Sequence, residues 1–323
     1  MNKKIFLLGS ERSGSNLLRT LLGNHSEISA PIAPHFCDVF YDQFKHYLPL
    51  NNDRVTELLQ DVQTYINHPF NDWQLTFDAS HHERISSFID VVDLAYSEKA
   101  KQESKSSYFV KDNNNHRYAL GILKEIPDAQ FIYLYRDVRD QVASWLRTPL
   151  NTLTAYKSVT KWVGDQNECL SLNRFYNVPM HFVSYEELVG DPAGTMTKTL
   201  QFLDLEVEEG CFSTNKDNKE AEKIILWNNI NKPIKKNSGK YRDILTKSEI
   251  EMVETIARST MKELGYTPET NCDWEMGNKY VFLLKDKLRA SKGEKKKKKL
   301  LEKEAKILKE KNHLVRELFS KFD

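Results

Sequence analysis

A chain of 323 residues with 40% hydrophobic and 11% aromatic content can fill a sizeable core, as one large domain or two ordinary ones. No apolar stretch approaches the roughly 18 residues of a membrane helix, and "MNKKIFLLG" breaks off at Gly9, too soon for a signal peptide, so a cytoplasmic globular protein is expected. Cys37, Cys169, Cys211 and Cys272 stand far apart with no C-x-x-C pair, which argues against a disulfide framework or thiolate metal site, and the net charge of +1 sums an acidic body and a basic tail, which does not read as a nucleic-acid binder.

The first element is a buried strand, "KIFLLG", which runs into "GSERSGSN" and then into a helical pattern, "NLLRTLLG". A turn between a strand and a helix N-terminus presents backbone N–H groups beside the positive end of the helix dipole, a place for phosphate or sulfate. Gly9 and Gly14 allow the tight path, Ser13, Ser15 and Asn16 add side-chain donors, and Arg12 brings a fixed charge with a planar fork. The glycine spacing equals that of G-x-x-x-x-G-K-[ST], but Ser15 and Asn16 occupy the positions of the lysine and the magnesium-binding hydroxyl. A metal-free ligand with one anionic group on the loop fits better than a nucleotide triphosphate. An ordinary Gly/Ser turn is the competing account.

Residues 38–105 are polar and aromatic, with no clear strand, and read as a helical insertion forming a pocket or lid. Two further strands follow, "SYFVKD" and "QFIYLYRD", the second ending at Arg136 and feeding a helix with Arg139, Ser144 and Arg147. In a parallel sheet the carboxyl ends of the strands open on one edge, so Arg136 can reach the ligand of the first loop. A salt bridge between Arg136 and Asp140 is the plainer alternative. Ser144 lies about two helical turns beyond Arg136. "MHFVSYEE" is a fourth strand, and Asp191-Pro192 marks a helix start. This alternation predicts an α/β, P-loop-type three-layer fold, a central parallel sheet with helices on both faces.

The end of the chain differs in charge. Residues 279–323 hold 16 Lys/Arg against 7 Asp/Glu, leaving the rest acidic, and a long charged helix is expected. Leu301, Ala305, Leu308, Asn312, Val315, Phe319 and Phe322 form a short heptad seam that invites self-association, against the alternatives of packing on its own domain or lying in water. The five lysines at 295–299 allow a weak contact with an anionic membrane surface, although a solvated charge run explains them equally.

Four segments, "GSERSGSNLL", "YLYRDVRDQVAS", "FVSYEELVGDPAGTMTKTLQFLDL" and "KKNSGKYRDILTKSEIEMVETIARSTMKELGY", stand in the order and spacing of 3′-phosphoadenosine 5′-phosphosulfate-dependent sulfotransferases. Over about residues 4–267 the chain resembles the bacterial carbohydrate-type branch of that family. The resemblance implies a sulfotransferase domain over 1–277, in which 38–105 builds the acceptor pocket or lid, with 278–323 as a basic helical tail, possible coiled coil and route to a homo-oligomer.

It also implies the site. Arg12, Ser13, Gly14, Ser15, Asn16 and Leu17 would hold the 5′-phosphosulfate, and Arg136 and Ser144 the 3′-phosphate. Ser238, Gly239, Lys240 and Tyr241 would close over that phosphate, with Lys240 and Tyr241 replacing the family's arginine and tryptophan. Lys111 resembles a lysine near the transferred group. His35 is the candidate base, with His25, Asp38, His81 and His82 as alternates, and a hydrogen-bonded loop histidine is its competing account. The implied reaction moves a sulfonyl group to a hydroxyl or amine, a carbohydrate first among acceptors, without metal, and leaves adenosine 3′,5′-bisphosphate. A small-molecule P-loop kinase and a nucleotide-binding scaffold assembling through the C-terminal helix are the other readings.

Overall fold

The structure, a computed structural model, describes residues 2–71, 73–112, 114–148, 153–214, 234, 238–277, 280–288 and 302–322. Its strands are β1 (Lys4–Leu8), β2 (Ile28–Ser29), β3 (Ser107–Val110), β4 (Gln130–Tyr135) and β5 (Met180–Ser184). They form one wholly parallel sheet in the order β2-β3-β1-β4-β5. The four apolar runs are all strands, and the sheet is covered on both faces, as the α/β reading requires. The two-residue edge strand β2 gave no signal.

In chain order the helices are α1 (Ser15–Gly23), α2 (Cys37–Phe40), α3 (Asn52–Ile66), α4 (Phe88–Gln102), α5 (Asn115–Glu125), α6 (Val138–Arg147), α7 (Ala155–Tyr176), α8 (Tyr185–Gly190), α9 (Pro192–Phe202) and α10 (Lys247–Glu263). Capping boxes start α4, through Ser87 and Asp90, and α10, through Thr246 and Glu249. Asp191 caps α9 and Pro192 takes its first turn, as the sequence suggested. Successive strand residues point to opposite faces, which sorts the core in two. Phe6, Leu8, Val110, Phe131 and Tyr133 pack with α2 to α7 and α10, whereas Ile5, Leu7, Phe109, Ile132 and Leu134 pack with α1, α8 and α9. Double burial explains why these strands read as unbroken apolar runs.

From β1 the chain builds one side of the sheet through β2 and β3, then crosses to β4 and β5 on the other. The crevice at such a reversal opens at the carboxyl ends of β1 and β4. Gly9 makes that edge possible: its φ is +139°, and a Cβ there would lie 2.3 Å from the carbonyl oxygen of Leu134.

Residues 38–105 contain the rest of α2, α3, α4 and short 3₁₀ turns at Phe44–Tyr47 and Ala79–Arg84, with no strand among the described residues. α4 lies against β3, where the Tyr108 hydroxyl donates to Asp93 at 2.7 Å. A C-terminal helix, Glu302–Phe319, returns to this region. Phe319 meets Phe40 at 5.3 Å between ring centroids, Phe322 meets Tyr47 at 5.2 Å, and Lys321 pairs with Asp61 at 2.6 Å and Glu57 at 2.9 Å. Val315, Phe319 and Phe322 of the heptad seam therefore face their own domain. Leu301, the lysines at 295–299 and the side chains of Ala305 and Leu308 lie outside the described residues. Among the described residues no helix is long and apolar enough to cross a membrane.

Candidate active site

The loop after β1 is fastened from beneath. The Ser10 hydroxyl donates to Asp165 of α7, which also pairs with Lys161 at 2.6 Å. Gln141 of α6 donates to the Glu11 carbonyl at 2.5 Å and accepts from the Trp162 indole at 3.1 Å. Ser13, buried, turns its hydroxyl onto the Ser10 carbonyl at 2.7 Å, so its side chain shapes the loop. Gly14 begins α1 with φ +101°, and a Cβ there would come within 2.4 Å of the Tyr185 ring. No side chain caps α1 among the described residues, and the Leu17 and Leu18 amides both go to the Gly14 carbonyl. The Ser15 and Asn16 amides are thus the first-turn donors at the crevice, and the Leu17 amide is turned inward.

Two arginines meet at this loop. Arg136, at the end of β4, donates to the Arg12 carbonyl at 3.3 Å and lies over the Tyr185 ring at 4.1 Å. Arg12 donates from Nε to the Ser144 hydroxyl at 3.3 Å, which places Ser144 of α6 on the same side. Burial, then the charge of Arg136, lowers the Arg12 guanidinium from its usual range. An anion here would offset both effects.

Asp140 accepts the backbone amides of Gly239 at 2.6 Å and Tyr241 at 3.1 Å, and so brings Ser238, Gly239, Lys240 and Tyr241 to the start of α6 beside Arg136. Ser238 and Lys240 are exposed. Tyr241 is buried, its hydroxyl donates to Glu269 at 2.6 Å, and Arg139 and Arg242 lie over its ring, so its part is structural support. Arg139 is committed elsewhere, to Asp137 at 2.6 Å and Glu254 at 2.7 Å.

His35 enters from the loop before α2. Its backbone is left-handed (φ +57°), its amide donates to Asp112 Oδ1 at 3.0 Å, and its Nδ1 stands 3.4 Å from the same oxygen. Asp112 follows Lys111 at the end of β3, on the same sheet edge as the loop. Burial holds the His35 imidazole well below its usual range, helped by the Lys111 and Lys311 ammonium groups. Burial also raises the Asp112 carboxyl to about 6 and pulls the Lys111 ammonium down to about 8, where Arg19 adds to the effect. At neutral pH His35 is therefore neutral and able to accept a proton, beside a carboxylate that can stabilise the resulting cation.

The alternates divide. His25 donates to the Glu206 carbonyl at 3.0 Å and accepts the Glu27 amide, His81 completes the cap at Asp78, and His82 meets the Thr56 hydroxyl at 3.2 Å, all structural roles. Asp38 stands at the edge of the site and accepts from Asn114 at 2.8 Å. Asp112, Tyr185 and Lys311 were missed by sequence reasoning. Only Asp112 carried a signal, as the charged pair Lys111-Asp112 closing an apolar strand. Among the described residues no group of three or more His, Cys, Asp or Glu side chains could hold a metal ion.

The sequence profile of the Sulfotransferase family matches residues 4–209. Among solved structures, the sulfotransferase domain from the Synechococcus PCC 7002 olefin synthase is similar in fold, with TM-score 0.53 and 21% identity over 79% of this chain and 94% of that one. The sulfotransferase domain from the curacin biosynthetic pathway has TM-score 0.51 and 19% identity, covering 83% of this chain and 99% of that one. None of the curated proteins matches in sequence.

Proposed function

We propose that this chain, which belongs to the sulfotransferase family, moves a sulfonyl group from 3′-phosphoadenosine 5′-phosphosulfate to a hydroxyl of a polar acceptor, a carbohydrate first among them, with His35 taking the proton. The observation that carries this reading is the meeting of Arg12 and Arg136, from two different strand ends, with the Arg136 guanidinium 3.3 Å from the Arg12 carbonyl. One ligand with two anionic ends can then engage both loops.

The residues fit such a donor. α1 has no side-chain cap, Gly14 clears the loop path, and no carboxylate lies within ion-pair distance of Arg12 or Lys111 among the described residues. When bound, the donor supplies a sulfonyl group already activated by its phosphate leaving group. Arg12, Lys111 and the Ser15 and Asn16 amides are placed to offset the charge that grows on that phosphate. Arg136 and Ser144, with the segment held by Asp140, are placed for the 3′-phosphate. His35 accepts the acceptor's proton while Asp112, which holds the His35 amide and stands 3.4 Å from Nδ1, balances the imidazolium. Asp38 and Asn114, paired at 2.8 Å at the edge of the site, are the side-chain types that bind sugar hydroxyls, which supports a polar acceptor.

The test is transfer of labelled sulfonate from the donor to an array of oligosaccharides, phenols and alcohols in the presence of a chelator. His35→Ala should lower kcat by about 10² to 10⁴, and Arg12→Ala by about 10² to 10³, with folding retained in both. Undiminished transfer by Arg12→Ala would refute the mechanism.

A further inference from the structure

Lys311 sits on the inward stripe of the C-terminal helix. It precedes Val315 and Phe319 by four and eight residues, spacings that share one helix face, and both of those residues pack on the domain. Its ammonium lies 5.6 Å from the centre of the Tyr65 ring. Tyr65 is buried, packs edge-on against Phe40 at 5.8 Å, and donates its hydroxyl to the carbonyl of Pro34 at 3.2 Å, immediately before His35. The same Phe40 receives Phe319. The anchors of the helix and the loop that carries His35 are therefore one packed unit, and Lys311 is presented at its edge.

No carboxylate lies within ion-pair distance of Lys311 among the described residues, unlike Lys321 on the same segment. Asp38 and Asp112 act on it only from farther away. Asp38 is engaged by Asn114, and Asp112 by His35. An ammonium held against an aromatic ring, partly out of water and without a close counterion, gains from any anion that reaches it. The donor's phosphates are assigned to the loop after β1 and to Arg136, so the remaining source of an anion is the acceptor.

We infer that Lys311 is a specificity residue for the acceptor, recruiting hydroxyl compounds that carry an anionic group such as a carboxylate near the hydroxyl to be sulfonated. The inference rests on the proposed transfer and narrows its acceptor class. The C-terminal helix lies beyond residues 4–209, the stretch matched by the family profile.

The test uses the full chain and acceptor pairs that keep the same hydroxyls and differ in the charge of one group: methyl glucuronoside with its carboxamide, and lactate with lactamide. Wild type should favour the acid member of each pair by about tenfold or more in kcat/KM, the size expected of a hydrogen bond to a charged group. Lys311→Met, which keeps the stem over Tyr65, should erase most of that ratio through the KM of the acid member, and Lys311→Arg should retain it. Transfer without acid preference in wild type, or an equal loss on both members in Lys311→Met, would overturn the inference and leave the sulfotransferase reading intact. Transfer to neither member of any pair, nor to any compound of the wider array, would overturn both.

Discussion

Replacing Asp112 by Asn separates the fold from the chemistry. The carboxyl is 1% exposed and its pKa is raised from 3.8 to about 6, chiefly by burial. That rise corresponds to about 3 kcal/mol by which the ionised form is disfavoured in the folded protein. Asn keeps the shape and an oxygen for the His35 amide, while adding an amide group that needs a partner, at about 1–3 kcal/mol if it finds none. Stability at pH 7.5 should therefore hold or rise. Turnover should move the other way: losing a charged partner at His35 costs about 1.5–3 kcal/mol in the step that creates the imidazolium, about 10- to 150-fold in kcat. The pH dependence gives a second reading. Between about pH 4 and 6 the folded wild type keeps a proton that the unfolded chain has released, so its stability falls as pH rises through that window. The Asn variant lacks this term, so it should gain on wild type from pH 4 to 6 in urea unfolding, and its kcat should lose the acid limb near pH 6 that belongs to the His35–Asp112 pair. Unchanged kcat would refute the coupling, and a parallel loss of stability and activity would reduce Asp112 to structural support.

Two other substitutions probe the scaffold. Gly14→Ala places a methyl group against Tyr185, at a φ that L-residues avoid, and should cost about 2 kcal/mol while weakening adenosine 3′,5′-bisphosphate in calorimetry, because Tyr185 carries Arg136; full affinity would break that chain of contacts. Phe319→Ala removes the contact with Phe40 and should cost about 1–3 kcal/mol in denaturant unfolding, with acceptor KM raised and bisphosphate affinity preserved; an unchanged midpoint would deny the C-terminal helix its docked place.

The sheet was legible because β1, β3, β4 and β5 are buried on both faces and so appear as continuous apolar runs. β2 escaped notice because a two-residue edge strand has no periodicity to read. On the donor side, Arg12 and Ser144 come from local motifs at strand ends, and their approach to 3.3 Å follows from the parallel topology. Tyr241 belonged to a motif as well, yet its hydroxyl is turned to Glu269, a partner 28 residues away that no local pattern announces. The acceptor side was hardest to read. Lys311 comes to Tyr65, and its charge is felt at His35, only because Phe319 and Phe322 pack on α2 and the turn at Phe44–Tyr47, a long-range fit invisible to composition. Of the heptad seam, Val315, Phe319 and Phe322 meet the domain itself.

Arg12 and His35 hold left-handed backbones, with φ +68° and +57°. For residues with a Cβ that conformation costs roughly 1–2 kcal/mol each, and glycine would relieve it at the expense of about 0.5–1 kcal/mol of extra chain freedom when unfolded. Thermal resistance alone gives no reason to keep either side chain. Directed evolution scored on heat tolerance would thus drift away from the two side chains to which the proposed transfer is assigned, and a library meant to toughen the protein should hold both fixed.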